Sequence, residues 1–440
     1  MPEQLVSSWG NVIHAQHALL RLRSRLDRFP DGTPGQSILP YGNGRSYGDS
    51  CLNLGGALLE TRALDRFIRF DPQTGVLACE AGILLADILQ LVVPTGWFPP
   101  VTPGTRFVTV GGAIANDVHG KNHHRAGTFI NWVRCLELLR SDGQRLLCSP
   151  ETNPEWFAAT AGGLGLTGVI TWAELQLQRI PGPLMEIETI RFANLEEFFA
   201  LCAESDRDYE YTVAWIDCVS RGKQLGRGLL QRANSMAAPP QLLRSAGAAR
   251  QLSVPLTPPF SLVNNLTLRL FNTLYYHRQP GKRRRSVQHY ESFFYPLDGI
   301  RSWNRLYGPQ GLYQYQCVVP GQGGRDAIAE LLETIAVSGQ GSFLAVLKVF
   351  GDRRSPGMLS FPREGITLAL DFPNRGEQLE HLFRQLDSII HAAGGRLYPA
   401  KDGRMPGTLF RDGYPRWAEF VPFIDPRCSS TFWRRVTEGA

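Results

Sequence analysis

The sequence predicts an α+β protein of two domains, and three observations carry that expectation. The chain of 440 residues exceeds what one hydrophobic core usually serves, so two domains of roughly 150–250 residues are the default. Short strands alternate with helices along the first third, and a readable β-α-β-β-α-β order runs from Leu312 to Ala400, the order of a split βαβ layer. Between the two, the composition changes after Pro181-Gly182-Pro183, a breaker cluster that marks a boundary.

In chain order, Ser37–Pro40 is a short extended run that enters a glycine-rich loop, and Gly75–Glu80 is a second strand. Ile83–Val93 sets Leu84, Ile88, Leu91 and Val92 on one side, as an amphipathic helix does. Trp132–Leu139 and Arg145–Cys148 flank Ser141-Asp142-Gly143, a hairpin turn by its chemistry. A helix is expected over Pro154–Thr160, and Val169–Ile180 alternates with period two, so it is a strand with one buried face. The second region continues with strand Leu312–Val319, helix Asp326–Val337, strands Phe343–Val349 and Ile366–Phe372, helix Glu377–Ala393 and strand Arg396–Ala400. That second helix is the clearest in the chain, because Leu379, Leu382, Phe383, Leu386, Ile389 and Ile390 form one stripe and Gly394-Gly395 stops it.

With 43% hydrophobic and 20% charged residues, the composition is that of a globular protein and excludes disorder, collagen and coiled coil. Met1–Ala18 lacks the basic start and apolar run of a signal peptide, and no stretch of about 18 apolar residues occurs. Eight cysteines are dispersed without metal-type pairs. Reduced thiols, a cytoplasmic location and no structural zinc are the expectations.

The net charge of +6 hides an asymmetry. From Arg221 to Arg285 there is no Asp or Glu but twelve Lys or Arg, interleaved with Phe260, Leu262, Leu266, Leu270, Phe271 and Leu274. Such a basic insertion could lie on anionic headgroups with its apolar residues in the interface, making the protein peripheral on the inner face of a membrane. A solvated insertion carries equal weight, and nucleic acid is a third, lesser reading.

Gly163-Leu-Gly165-Leu-Thr-Gly168 fits the dinucleotide fingerprint literally, but a helix precedes it and a strand follows, the reverse of what that fingerprint requires. A nicotinamide domain is not expected. The loop Gly42-Asn43-Gly44-Arg45-Ser46-Tyr47-Gly48 follows a strand, and its glycines let backbone N–H groups converge on an anion. Downstream, Gly111-Gly112-Ala113 lets a helix approach a cofactor closely, with His119 and Lys121 beyond its end. His119 alone reads equally as a satisfied buried imidazole, and His123-His124 as a polar turn. Adjacent His123 and His124 point apart, so no metal is expected.

At these residues the sequence resembles the FAD-binding oxidoreductases of the vanillyl-alcohol oxidase type, and within them the branch that oxidises the ribose C2 hydroxyl of polyprenyl-phosphoryl sugars. The matching stretches include residues 44–49, 103–105, 109–115, His119-Gly-Lys-Asn-His-His124, 165–168, 314–316, 344–348, 371–373 and 395–402, spread over nearly the whole chain. The resemblance implies a two-domain flavoprotein fold: an FAD-binding domain over 1–182, a mixed α/β substrate domain over 183–393 holding the basic insertion, and a segment 394–440 returning to the first domain. FAD would be held by Gly42 to Gly48, by Pro103, Gly104, Thr105, Thr109, Gly111, Gly112, Ala113 and Asn116, by Gly165 and Gly168, and by His119 and Lys401. Tyr47, His119, Lys121, Gln314, Gln316, Lys348 and Lys401 match positions lining the flavin and substrate. Arg45 stands where covalent-flavin members carry a histidine, so a dissociable FAD is implied. Ala369 replaces a cysteine common before Asp371-Phe372-Pro373, so thiol-directed inhibitors should fail.

The implied activity is oxidation of a sugar hydroxyl, the C2 hydroxyl of a polyprenyl-phosphoryl pentose such as ribose, as the first half of an epimerisation in cell-envelope glycan synthesis. A separate ketoreductase would complete it. The alternatives are a soluble alditol or aldonolactone oxidase of the same fold and a flavin-binding lipid sensor without turnover.

Overall fold

The computed structural model describes residues 3–237 and 252–438. A four-stranded sheet in the order Glu3–Ser7, His14–Arg21, Ala57–Glu60, Ile38–Tyr41 adjoins a five-stranded antiparallel sheet. The latter runs Phe67–Asp71, Val76–Glu80, Val169–Gln176, Val133–Leu139, Arg145–Cys148. Helices Leu85–Val92 and Val110–Ala115 cover the second sheet, and Leu77, Ile88, Val110, Ile114, Leu136 and Ala173 share their core. Thr109 caps Val110–Ala115 by accepting from Gly112 N at 3.0 Å.

An eight-stranded sheet dominates the second half, in the order Arg283–His289, Leu184–Phe192, Gly228–Met236, Tyr211–Ile216, Ala345–Phe350, Gly365–Pro373, Leu312–Val319, Arg396–Leu397. Helices Leu195–Ser205, Gly321–Ser338 and Glu377–Ala392 lie on one face, where Phe198, Leu331, Leu332, Leu382, Phe383 and Leu386 meet Ile216, Leu230, Cys317, Leu347 and Leu368. Strand residues alternate in direction, so Gln314, Gln316, Val346, Lys348, Thr367, Ala369 and Asp371 turn to the opposite face, toward the first domain. The last segment then runs back: Cys428 bridges Ile38, and helix Thr431–Thr437 sends Arg435 to Asp49 at 2.8 Å and Asp402 at 2.9 Å.

Three sequence expectations are corrected. The alternating run 169–180 breaks after Gln176, because Gln178–Arg179 leaves the sheet to pair with Trp97–Phe98. The run 396–400 pairs only through Leu397, since Tyr398 O accepts from Lys401 N and folds the chain into a turn. The basic stretch is not one insertion: Gly228–Met236 lies inside the eight-stranded sheet and Arg283–His289 forms its edge. Much of its charge is neutralised by acids from elsewhere, Arg227 by Asp217, Arg232 by Glu188 and Glu204, and Lys282 by Glu197. Arg244 and Arg250 lie outside the described residues. Among those described, no helix is long and apolar enough to cross a membrane.

Candidate active site

A cavity of about 1220 Å³ separates the loops of the first domain from the open face of the eight-stranded sheet. Its floor is backbone. Gly44 has φ of +58°, and a Cβ there would strike the Tyr41 hydroxyl; a Cβ on Gly42 would meet Thr109 Oγ1 at 2.6 Å. Asn43 Nδ2 donates to Phe107 O at 2.7 Å and ties the two glycine segments together. Among the described residues, none of the five consecutive N–H groups from Gly42 to Ser46 finds an acceptor in the protein. Open donors beside glycines, along a cleft this long, fit the diphosphate of a dinucleotide. The Arg45 guanidinium stacks 4.1 Å from the Trp9 ring and brings positive charge to the same loop.

The roof is side chains. On three neighbouring strands, Gln316 pairs with Ala369 and Ala369 with Val346; one row on, Thr367 pairs with Lys348. His119 rises from the floor between them, its Nε2 3.0 Å from the Gln316 amide nitrogen and its Nδ1 3.3 Å from Lys348 Nζ. Phe350 meets the imidazole edge-on at 4.8 Å and Tyr398 lies 5.8 Å away, so the ring is held on several sides. Lys401 reaches in from the turn after Leu397, and its Nζ sits 4.0 Å from the centre of the Tyr47 ring. Tyr47 N donates to Ala400 O at 2.9 Å, so floor and turn are fixed to each other at this point.

Burial governs the charges. Lys348 and Lys121 are each pushed down to about 7, by loss of solvation and then by a neighbouring lysine. Burial and Lys348 hold His119 well below the usual imidazole range, so it is neutral at pH 7. Loss of solvation also lowers Lys401 and raises Asp371, which accepts from Gln314 Nε2. The two values move toward each other, and the group between them able to hold or release a proton near neutrality is the pair.

Comparison with known proteins agrees with this geometry. Residues 33–149 match an FAD-binding-domain family. The chain is 37% identical over 408 residues to decaprenylphosphoryl-β-D-ribose oxidase of Mycolicibacterium smegmatis, covering 89% of this chain and 87% of that protein. The chain belongs to the decaprenylphosphoryl-β-D-ribose oxidase family of FAD-binding oxidoreductases. An uncharacterised Streptomyces coelicolor protein is likewise 37% identical, over 80% of this chain and 97% of its own. Cytokinin dehydrogenase 8 of Oryza sativa subsp. indica is 31% identical over a smaller part, 34% of this chain and 30% of that enzyme.

As an FAD-dependent oxidoreductase of this family, the protein places every candidate site residue on the cavity except two. Gly48 packs against the backbone of Asp402, where a Cβ would overlap the carbonyl, and Ala113 is buried in the core of the first domain. Both shape the site from behind. Lys121 lines the cavity, but its ammonium donates to Phe293 O and sits 4.2 Å from the Phe293 ring, a tie to the second domain. His123 is not part of a polar turn. It is buried against Phe350 at 4.3 Å with neither ring nitrogen hydrogen-bonded, and burial pushes it down to about 3.

Reasoning from sequence assigned no role to Asp371, although one signal was present: it is the single charged residue in the apolar strand Gly365–Pro373. It also missed the cross-domain tie at the rim, where Arg106 N donates to Asp298 Oδ2 at 2.9 Å and the Arg106 side chain pairs with Glu291. Distant residues meeting at a rim leave no local pattern.

Proposed function

We propose that the protein oxidises the C2 hydroxyl of a polyprenyl-phosphoryl pentose, with ribose the first choice, to the 2-keto sugar. The observation that carries this reading is the cluster that Lys401, Asp371, Lys348 and Gln316 of the cavity roof form with His119, which rises from a floor suited to FAD. The name of the Mycolicibacterium relative supports the substrate class. FAD, held without a covalent bond along Gly42–Ser46 and Gly104–Gly112, would accept the hydride from the carbinol carbon.

The residues supply the rest. Lys401, whose charge acts on Asp371, takes the hydroxyl proton; whichever of the two is unprotonated is the acceptor. Gln316 and His119 orient the sugar by hydrogen bonds, and burial, aided by the Lys348 charge, keeps His119 neutral. The product ketone is the substrate a separate ketoreductase would reduce from the other face, giving an epimer for cell-envelope glycan synthesis. Eight free cysteines support action on the reducing, cytoplasmic side of the membrane.

The test is anaerobic titration of the yellow holoenzyme. Bleaching by polyprenyl-phosphoryl ribose and not by free alditols is the expected result. Bleaching by alditols instead moves the protein to the soluble sugar oxidases. A flavin that no sugar reduces would make it a flavin-binding sensor.

A further inference from the structure

The helix Asn265–His277 lies across the cavity face of the sheet with its apolar stripe outward. Leu266, Leu270 and Leu274, spaced by four and therefore on one side, are 78%, 60% and 63% exposed. Only Leu268 and Asn272 of this helix are buried. What fastens it is largely polar and aromatic: Asn272 Nδ2 donates to Asp217 Oδ1 at 2.8 Å, Tyr276 Oη donates to Phe192 O at 3.2 Å, and Tyr275 meets Trp215 at 4.6 Å. The segment leading in leaves Leu256, Phe260 and Leu262 exposed as well.

Charge says what covers this face. Arg269, Arg278 and Arg284 are exposed, and among the described residues none of them makes an ion pair, whereas Arg283 is drawn to Glu204 and Arg285 to Glu188. Arg284 lies in one cross-strand row with Thr189 and Gln231, which puts it on the sheet face the helix crosses. The sequence offers no acid between Arg221 and Arg285 to compensate them. Exposed leucines on a helix that carries Arg269 and ends at Arg278, both without an ion pair among the described residues, are complementary to an anionic bilayer, whose headgroups meet the charge while the acyl boundary takes the side chains. The same helix supplies Tyr275 to the cavity lining, and Arg278, which follows its last residue, lines it as well.

We propose that Asn265–His277 is an interfacial anchor that inserts Leu266, Leu270 and Leu274 into an anionic leaflet and holds the cavity mouth against it. A substrate carried on a lipid then reaches the site without leaving the membrane. Only that last step rests on the reading of the substrate given above; the anchor stands on the surface itself.

The experiment is flotation of the holoenzyme with vesicles of phosphatidylglycerol and phosphatidylcholine, in wild type and in Leu266→Ser/Leu270→Ser/Leu274→Ser. The wild type should float with anionic vesicles and the triple variant should partition at least 100-fold more weakly, from about tenfold per leucine. Arg269→Gln should cost about fivefold. Because the three leucines are exposed and line no part of the cavity, the variant should keep its FAD spectrum and its flavin reduction in detergent. A Leu270→Trp variant should show a blue shift of emission on adding vesicles. Equal flotation of wild type and triple variant overturns the proposal, as does a wild type that stays in solution. So does concentration-dependent dimerisation abolished by the triple substitution, which would assign the face to a second copy. None of these outcomes alters the titration that tests the substrate.

Discussion

Along the floor of the cavity the first domain presents backbone, with glycines where a Cβ would collide and a row of N–H groups open to a ligand. Across from it the roof presents polar and ionisable side chains, Lys348, Asp371, Gln314 and Gln316 on strands whose other face is the hydrophobic core and Lys401 from the turn after Leu397. The difference teaches how work is divided in a cofactor enzyme. A surface of main chain recognises a shape shared by many proteins, whereas one of buried side chains sets protonation and can be retuned residue by residue. The two surfaces should therefore fail differently.

The largest separation is expected at Lys401. Lys401→Met removes the proton acceptor while leaving the floor intact, so kcat should fall by about 10²–10⁴-fold with the FAD content unchanged. Stopped-flow measurement of anaerobic flavin reduction, beside the absorbance ratio of flavin to protein, checks both. If FAD is lost together with turnover, floor and roof are not separable here.

Next in size is the seam that joins them. Arg435 holds Asp49, behind the floor, and Asp402, behind the roof, and both carboxylates are almost wholly buried. Arg435→Met strands two buried charges, and a loss of about 3 kcal/mol is expected, read as a lower Tm by calorimetry. Here, unlike at Lys401, stability and FAD retention should fall together.

The floor and the roof also differed in how legible they were. The glycine loops are local, contiguous in sequence and chemically constrained, so reading the chain found nearly all of them; Gly48 and Ala113 show its limit, since small residues behind a surface look like those on it. The resemblance named Gln314 and Gln316; alternation along Leu312–Val319 only sets them opposite Tyr315 and Cys317. It could not say which face met the cofactor domain, because that is decided by the packing of distant segments. Arg232 made the basic stretch look solvated, whereas its partners Glu188 and Glu204 lie tens of residues upstream. The two amphipathic helices make the same point. Glu377–Ala392, legible from its stripe, buries its leucines in the core, whereas Asn265–His277, which read only as apolar residues interleaved with the basic stretch, exposes its own.

A smaller effect is expected from the floor. In Gly42→Ala the new methyl meets Thr109 Oγ1, the atom that accepts from Gly112 N. Overpacking of this kind costs about 1–3 kcal/mol, which should appear chiefly as FAD binding weakened tenfold or more, measured by flavin fluorescence on titrating the apoprotein. A variant that binds FAD normally but turns over slowly would show that the floor also tunes chemistry.

The smallest effect separates floor from roof by pH. Lys348 and Lys121 titrate near 7 in the folded protein against 10.5 in the unfolded chain. Between these values the unfolded state binds more protons, so stability rises with pH across that window and is lowest below it, where the folded state must hold buried ammonium groups. Cysteines that burial pushes up to about 12, such as Cys79 and Cys317, act in the opposite direction above pH 9, which leaves pH 7 to 9 as the clean interval. From pH 7 to pH 8 the wild type should gain about 1 kcal/mol for Lys348 alone, and Lys348→Met should be the more stable protein at pH 7 with a flatter slope. Gly42→Ala, altering no ionisable group, should keep the wild-type slope at a lower Tm. Thermal melts of the three proteins at pH 7, 8 and 9 make the comparison. If Lys348→Met kept the full slope, the amine would be solvated through the cavity rather than desolvated by the roof, and its influence on His119 would be correspondingly weaker.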